Sequence, residues 1–360
     1  MSKAWRTRAL IDLSALRHNV TVVSDLVGDA RIFAVVKADA YGHGISNVVP
    51  AISDLVDGFA VATLEEGIRC REYAADNPIM VLSEFSGPDQ LDLFRNYRLQ
   101  PVVHREQQAQ WISQADGLPQ GAWLKIDSGM NRLGIAPEKA AALITQLGKS
   151  IDTQRLGLMS HLASADDVQC DQTKRQVERF LRCAVNHPGE ISIANSAGVV
   201  NWPMIKQNTV RPGLMLYGIS PTEERSSSTL GLRPVMQLET RLIAVKQISQ
   251  GDAVGYGGTW IAARPTKIGV AGFGYADGYP RSISNRGVVI IGDRQAPVIG
   301  KVSMDMMTLD VSECTDAKEG DIVQLWGPQL GVDRVAQWAD TIAYELLCGV
   351  SPRVPRVTLD

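Results

Sequence analysis

Long apolar runs are missing from this 360-residue chain: none approaches the ~18 residues that a bilayer-spanning helix needs. The basic start, with Lys3, Arg6 and Arg8, is not followed by the apolar stretch of a secretory signal. Membrane insertion and export are therefore not expected, and the cytoplasm is the default location. Cysteine is scarce as well. Cys70, Cys170, Cys183, Cys314 and Cys348 are scattered, odd in number and without a CxxC pair. That argues against a disulfide framework and a structural zinc site, and no metal is expected. An excess of one charge is lacking too: 36 basic residues against 39 acidic leave −3, which recruits neither nucleic acid nor an anionic membrane. Nucleotide loops are absent. Gly148-Lys149-Ser150 has Leu143 where the upstream glycine belongs, and Gly272-Phe273-Gly274 is followed by Asp277 at the third glycine position.

What is present describes an ordinary globular protein, with 45% hydrophobic and 21% charged residues in a chain long enough for two or three domains. Up to about residue 220, short apolar β-rich runs alternate with amphipathic helical patterns. The strand candidates are 32–37, 58–62, 79–83, 101–104, 122–127, 156–161, 191–194 and 209–217. Helical patterns cover 14–26, 64–73, 137–147 and 171–185. Eight strands with both faces covered have the texture of a (β/α)8 barrel. After about residue 233 the texture changes to strand-like runs at 237–247, 267–273, 288–291, 298–304, 307–311 and 322–326. Helical patterning returns at 335–347. The expected fold class is α/β: an N-terminal (β/α)8 TIM-type barrel over 12–233, then a mostly β C-terminal domain over 234–360. Residues 1–11 are expected to add a strand to the second domain.

In such a barrel, chemistry collects where strands end. Those positions hold Lys37, Thr63, Glu84, His104, Lys125 with Asp127, His161, Asn195 with Ser196, and Arg211. Lys37 closes the apolar run 32–36. An ammonium there needs a charged partner, a route to water, or a covalent bond that removes its charge, such as a Schiff base with an aldehyde cofactor. A lysine reaching back to water from a strand end is the plainer alternative.

Nine segments decide between these readings: AVVKADAYGHG (34–44), WLKIDSGMNRLG (123–134), LMSHLASAD (158–166), IANSAG (193–198), VRPGLMLYG (210–218), VGYGGTW (254–260), GYADGYPR (274–281), GKVSMDMM (300–307) and AYELLC (343–348). Together, and in this order, they resemble the alanine racemases, fold-type III enzymes that use pyridoxal 5'-phosphate. The likeness runs over essentially the whole chain.

The resemblance implies interconversion of L- and D-alanine by two bases. Lys37 would hold the cofactor and serve the D-isomer, and Tyr256 from the partner subunit of a homodimer would serve the L-isomer. A phenol, with an ordinary pKa near ~10, needs cationic or hydrogen-bonding neighbours for that work. Arg211 would face the pyridine nitrogen; a guanidinium gives the ring no proton, so the ring stays a weaker electron sink. The phosphate would lie at Asn195 and Ser196, the amides of Gly213 and Leu214, and the hydroxyls of Tyr41 and Tyr344. His161 would stack on the ring, and His43 would support the lysine motif. Arg132 and the Met304 amide would take the substrate carboxylate. Lys125 is a possible carbamylated lysine, the alternative being an ordinary lysine with chloride or Asp127. Tyr275 and Arg281, with Asp305 in support, would narrow the entry. Position 39 is commonly asparagine in the family, with aspartate also found, and the added carboxylate of Asp39 is expected to bear on the hydrogen bonds around Lys37 or Lys125. The product, D-alanine, serves peptidoglycan synthesis, and a catabolic role stays open. Rival readings are a racemase for other or more amino acids, a fold-type III decarboxylase, and a non-catalytic cofactor-binding protein. Arg211, Cys314 in VSEC and the Tyr256 domain fit the last two poorly.

Overall fold

The computed structural model describes residues 5–74, 76–115, 117–118, 120–205 and 208–359. Residues 1–4 of the expected N-terminal addition, and residue 360 of the expected second domain, lie outside the described residues. The chain divides into two compact units. One consists of Leu16–Ala40 and Ile45–Leu232; the other gathers the start of the chain through Ala15, the short segment Tyr41–Gly44, and the chain from Arg233 onward.

The strands run in order from β1 (Thr7–Asp12) to eight that form the first unit: β2 (Arg31–Val35), β3 (Gly58–Val61), β4 (Ile79–Val81), β5 (Leu99–Val103), β6 (Ala122–Lys125), β7 (Leu156–Met159), β8 (Ile191–Ser192) and β9 (Thr209–Val210). These eight close into a parallel barrel, β9 returning to β2 with Thr209 opposite Arg31 and Val210 opposite Ile32. Their runs are apolar on both faces because the barrel interior and the surrounding helices both exclude water; β3, β4, β6 and β7 are buried along their full length. Gly157 in β7 is needed for close approach, since a Cβ there would lie 2.3 Å from the Trp123 ring. Between strands run helices Leu64–Arg71, Pro137–Leu147 and Asp171–Cys183. Pro137 opens its helix where no amide donor is required.

Two expected strands are different: the run 298–304 is strand only up to Ile299, at the end of Arg294–Ile299, and the other lies in the barrel. The run 209–217 is not a single strand: β9 stops at Val210, and a 3₁₀ turn covers Leu214–Tyr217. Pro212 has no N–H for a ladder and Gly213 redirects the backbone. The turn carries Tyr217 inward, where its hydroxyl donates to the Val35 carbonyl at 3.0 Å.

The second unit is mostly β, with β10 (Met236–Ile248), β11 (Ala253–Val254), β12 (Trp260–Ile261), β13 (Thr266–Ala271), β14 (Val288–Ile291), β15 (Arg294–Ile299), β16 (Met307–Asp310), β17 (Ile322–Trp326) and β18 (Arg356–Leu359). Strand β1 lies between β10 and β18, antiparallel to the first and parallel to the second. The long β10 meets β17 with its first half and β13 with its second, shifting register between Leu242 and Ala244. Stacked Tyr279 and Trp326, 6.4 Å apart, are buried in this unit. The helical stretch 335–347 is two helices, Val332–Trp338 and Ala343–Gly349, parted at left-handed Asp340. No helix among the described residues is long and apolar enough to cross a membrane.

Candidate active site

Lys37 follows β2 by two residues, and the chain after it turns in an unusual way. Ala38, Asp39, Ala40 and Tyr41 all adopt left-handed helical backbone, with φ of 53°, 51°, 54° and 52°. For residues with a Cβ this conformation costs roughly 1–2 kcal/mol each, so about 4–8 kcal/mol must be offset by surrounding contacts. Asp39 tolerates it better than most because its short carboxylate bonds locally. Its Oδ1 accepts from the Ile45 amide at 3.0 Å and from the Arg69 guanidinium at 2.9 Å. The carboxylate at position 39 is thus tied to Arg69 and to the Ile45 amide.

Lys125 ends β6 and is almost fully buried, 7% exposed. Burial pushes its pKa down to about 8, and the charges of Arg211, Arg132 and Lys37 push the same way against Asp127. His161, just beyond β7, is driven well below the ordinary histidine value, first by burial and then by Arg211, Lys125, Arg132 and Lys37. Its imidazole is therefore neutral at pH 7. Lys37, Arg132 and Arg211 each bear on both Lys125 and His161, which places these groups near one another at one end of the barrel. Lys125, Asp127, Arg132, Ser160 and His161 also line one small cleft.

Arg211 is buried, and desolvation lowers its pKa to about 10, so it remains charged. Its guanidinium donates to the Ser192 hydroxyl and, at 2.5 Å, to the Ser160 carbonyl. Ser160 is fixed in turn by Ser128, hydroxyl to hydroxyl at 2.8 Å, and by donating to the Ile126 carbonyl. These serines position the arginine, and the sequence offered no spacing by which to find them. The loop bearing Arg132 is organised by Asp127, whose Oδ1 accepts from the Gly129 and Asn131 amides at 3.0 Å. Gly134 closes it at φ 139°, where a Cβ would strike the Asp127 amide at 2.6 Å.

Ser196 begins the short helix Ser196–Asn201, with Asn195 as its cap accepting from the Gly198 amide at 2.9 Å. The Ser196 hydroxyl accepts from the Gly213 amide at 2.9 Å. Asn195, Ser196, Gly213 and Leu214 therefore share one corner of the barrel rim. Two strand-end residues have other duties. Thr63 caps the helix Leu64–Arg71, and Glu84 accepts from the Leu64 amide at 2.8 Å. His104 is a packed residue whose Nδ1 lies 3.3 Å from the Val102 carbonyl.

The remaining sites belong to the second unit. Tyr41 and Tyr344 pack ring to ring at 5.7 Å, and burial with Tyr344 and Cys348 nearby drives the Tyr41 phenol upward. His43 is buried, its Nδ1 2.9 Å from the Tyr41 carbonyl. Tyr256 sits at the tip of the β11–β12 hairpin between Gly255 and Gly257, both at positive φ, and is 69% exposed. The loop carrying Tyr275 is bonded to that carrying Met304: the Tyr275 amide donates to Ser303 and the Ala276 amide to Met304. Arg353 donates to Asp305 at 2.8 Å and lies 3.4 Å from buried Asp277, which Arg6 also grips at 2.6 Å. Arg281 is exposed at the start of a 3₁₀ turn, Arg281–Ile283, whose last residue is buried. Asp277, Arg6 and Arg353 support these loops and were not singled out by sequence reasoning.

The chain matches two family models: alanine racemase, N-terminal domain, over residues 11–221, and alanine racemase, C-terminal domain, over residues 235–358. It is 42% identical over 349 residues to an alanine racemase of Vibrio parahaemolyticus, covering 96% of this chain and 97% of that protein. The biosynthetic alanine racemase of Pseudomonas aeruginosa superposes with a TM-score of 0.94 at 41% identity, over 99% of this chain and 100% of that one. An alanine racemase from Bartonella henselae with covalently bound pyridoxal phosphate superposes at 0.90 with 28% identity, over 99% and 100% of the two chains. A closed parallel barrel with a cation-rich rim, two matching domain models and full-length relatives agree: the chain belongs to the alanine racemase family.

Proposed function

We propose that this protein interconverts L- and D-alanine with pyridoxal 5'-phosphate, using Lys37 and, from a second copy of the chain, Tyr256. The observation that carries the reading is the gathering of Lys37, Lys125, Arg132 and Arg211 at one barrel end, where burial first, and then the neighbouring cations, lower Lys125 to about 8. Such a rim calls for an anion, and a barrel's late strand ends are a frequent phosphate site. The donor set fits the cofactor: an amine at Lys37, hydroxyl and amide groups at Ser196, Gly213 and Leu214, and a fixed guanidinium at Arg211. Asn195 shapes that corner. Tyr41 and Tyr344 are proposed as further phosphate donors on the strength of the family resemblance.

When bound, pyridoxal phosphate supplies an aldehyde for an amine and a ring that takes up the electrons of a broken Cα–H bond. Lys37 Nζ removes or returns the proton on one face of the substrate. The Tyr256 hydroxyl does so on the other, because one group cannot readily reach both. Arg211 holds the ring nitrogen without giving it a proton, which limits side reactions. Neutral His161 offers a flat surface without adding charge. Arg132 and the Met304 amide orient the carboxylate, with Tyr275, Arg281 and Asp305 limiting side-chain size. A Lys125 amine near pKa 8 is partly uncharged at neutral pH, the state in which it can add carbon dioxide with loss of a proton. The carbamate would then orient Arg132.

Tyr256 is exposed in the single chain, in keeping with a role toward another surface. We take 12–233 as the cofactor-holding domain and 234–360 as the domain supplying Tyr256, and place the enzyme in the cytoplasm, where it would serve either D-alanine supply or alanine breakdown. The test is to incubate purified protein and cofactor with L-alanine and follow optical rotation. Decay to zero is expected; unchanged rotation would refute the reading. Sedimentation that finds a fully active monomer would remove the second-copy role of Tyr256.

A further inference from the structure

Building on the assignment of Lys37 as the cofactor-holding residue, we propose that Glu66 and the Asp39–Arg69 pair form a clamp that aims the Lys37 amine. They are positioning residues and act through the left-handed turn. The Ala38 amide donates to Glu66 Oε1 at 2.6 Å. That N–H belongs to the peptide plane beginning at the Lys37 carbonyl, so holding it fixes ψ of Lys37 and the direction in which its side chain leaves. The other oxygen, Oε2, accepts from the Ala62 amide at 2.8 Å and from Thr63 at 3.4 Å. One carboxylate thereby ties the turn after β2 to the end of β3.

Helix capping explains only part of this. The capping box of Leu64–Arg71 needs the Thr63 hydroxyl, which accepts from Glu66 N at 3.2 Å, and the return bond to Thr63. The return bond is the longest that Glu66 makes, and the bond to Ala38 the shortest. The carboxylate leans toward the lysine turn. Three residues on, and hence on the same helix face, Arg69 holds Asp39 at 2.9 Å, while Asp39 also takes the Ile45 amide. One helix thus grips consecutive residues of a backbone run that would not persist alone. The Asp39–Arg69 pair is half-exposed and weak by itself, so Glu66 carries most of the effect.

The test measures pyridoxal phosphate dissociation, borohydride trapping of the cofactor on Lys37 by peptide mapping, and deuterium exchange of the 38–41 amides. It compares wild type with Glu66→Gln, Glu66→Ala, Arg69→Ala and Thr63→Ala. Loss of a charge-assisted bond corresponds to about a tenfold weaker cofactor for Glu66→Gln and about a hundredfold for Glu66→Ala, with matching acceleration of Ala38 exchange. Arg69→Ala should weaken binding less than about fivefold. Thr63→Ala, which breaks the cap and spares the clamp, should lower the melting temperature while holding the cofactor constant within about twofold. Wild-type binding and Ala38 exchange in both Glu66 variants would overturn the clamp, as would Thr63→Ala matching Glu66→Ala. If Glu66→Ala does not fold, Glu66→Gln decides. Wild-type protein trapped elsewhere than Lys37 would instead overturn the cofactor reading, and Ala38 exchange would still judge the clamp.

Discussion

The barrel unit buries two of its site cations, whereas most candidate groups of the C-terminal unit are exposed, Tyr41 and His43 being the buried exceptions. Arg211 and Lys125 are 4% and 7% exposed, whereas Tyr256, Met304 and Tyr275 are 69%, 53% and 42% exposed. Burial raises the energy of charge, which is how the barrel obtains a lysine near pKa 8 and a neutral histidine. Exposed groups gain nothing of the kind from their own chain. Their value depends on what later covers them, and so the two units should respond differently to substitution.

The largest contrast lies between the two proposed bases. Lys37→Ala should abolish racemisation, by more than about 10⁴-fold in kcat/KM, and also cofactor trapping at this position. Tyr256→Phe should cost about 10²–10⁴-fold in activity and leave cofactor binding and melting temperature nearly unchanged, because the hydroxyl leaves an exposed hairpin tip. Mirror-image substrates have equal free energy, so kcat/KM must fall equally for both isomers. Unequal losses would mean that some other step is being measured.

Next in size is the pH response of cofactor-free protein. The folded pKa of Lys125, about 8, lies below the ordinary lysine value of 10.5. The unfolded chain therefore holds more protons between those values, and stability rises with pH across that window. The penalty, about 3 kcal/mol, is full below pH 8 and fades toward pH 10.5. Lys125→Met should flatten this part of the pH dependence in denaturant titrations; an unaltered slope would mean that the charge is solvated. The smallest effect is expected in the C-terminal unit. Asp277→Ala removes the acceptor of Arg6, Arg353 and the Gly274 amide. It should cost about 2 kcal/mol, since both arginines are half-exposed and can rehydrate, and it should raise KM more than it lowers kcat.

Much of the barrel was legible because parallel strands must be apolar on both faces, which writes them into the sequence as short runs. Strand ends carrying Lys37, Lys125, His161 and Arg211 could be read for the same reason. The run 209–217 misled, since apolar content cannot tell a strand from a buried 3₁₀ turn; Pro212 and Gly213 were the available signal. The bond from the Ala38 amide to Glu66 could not be read, because those residues are 28 apart in sequence. Ser160 and Ser192 were invisible for the same cause.

Local order in this protein follows from its own residues: periodicity marks strands and helices, and proline and glycine mark their ends. The motif order was enough to point to a family. Tertiary structure alone decided the left-handed path after Lys37, the depressed pKa of Lys125 and the guanidinium geometry of Arg211. Each depends on desolvation and on hydrogen bonds between distant segments, and neither quantity exists until the chain has folded.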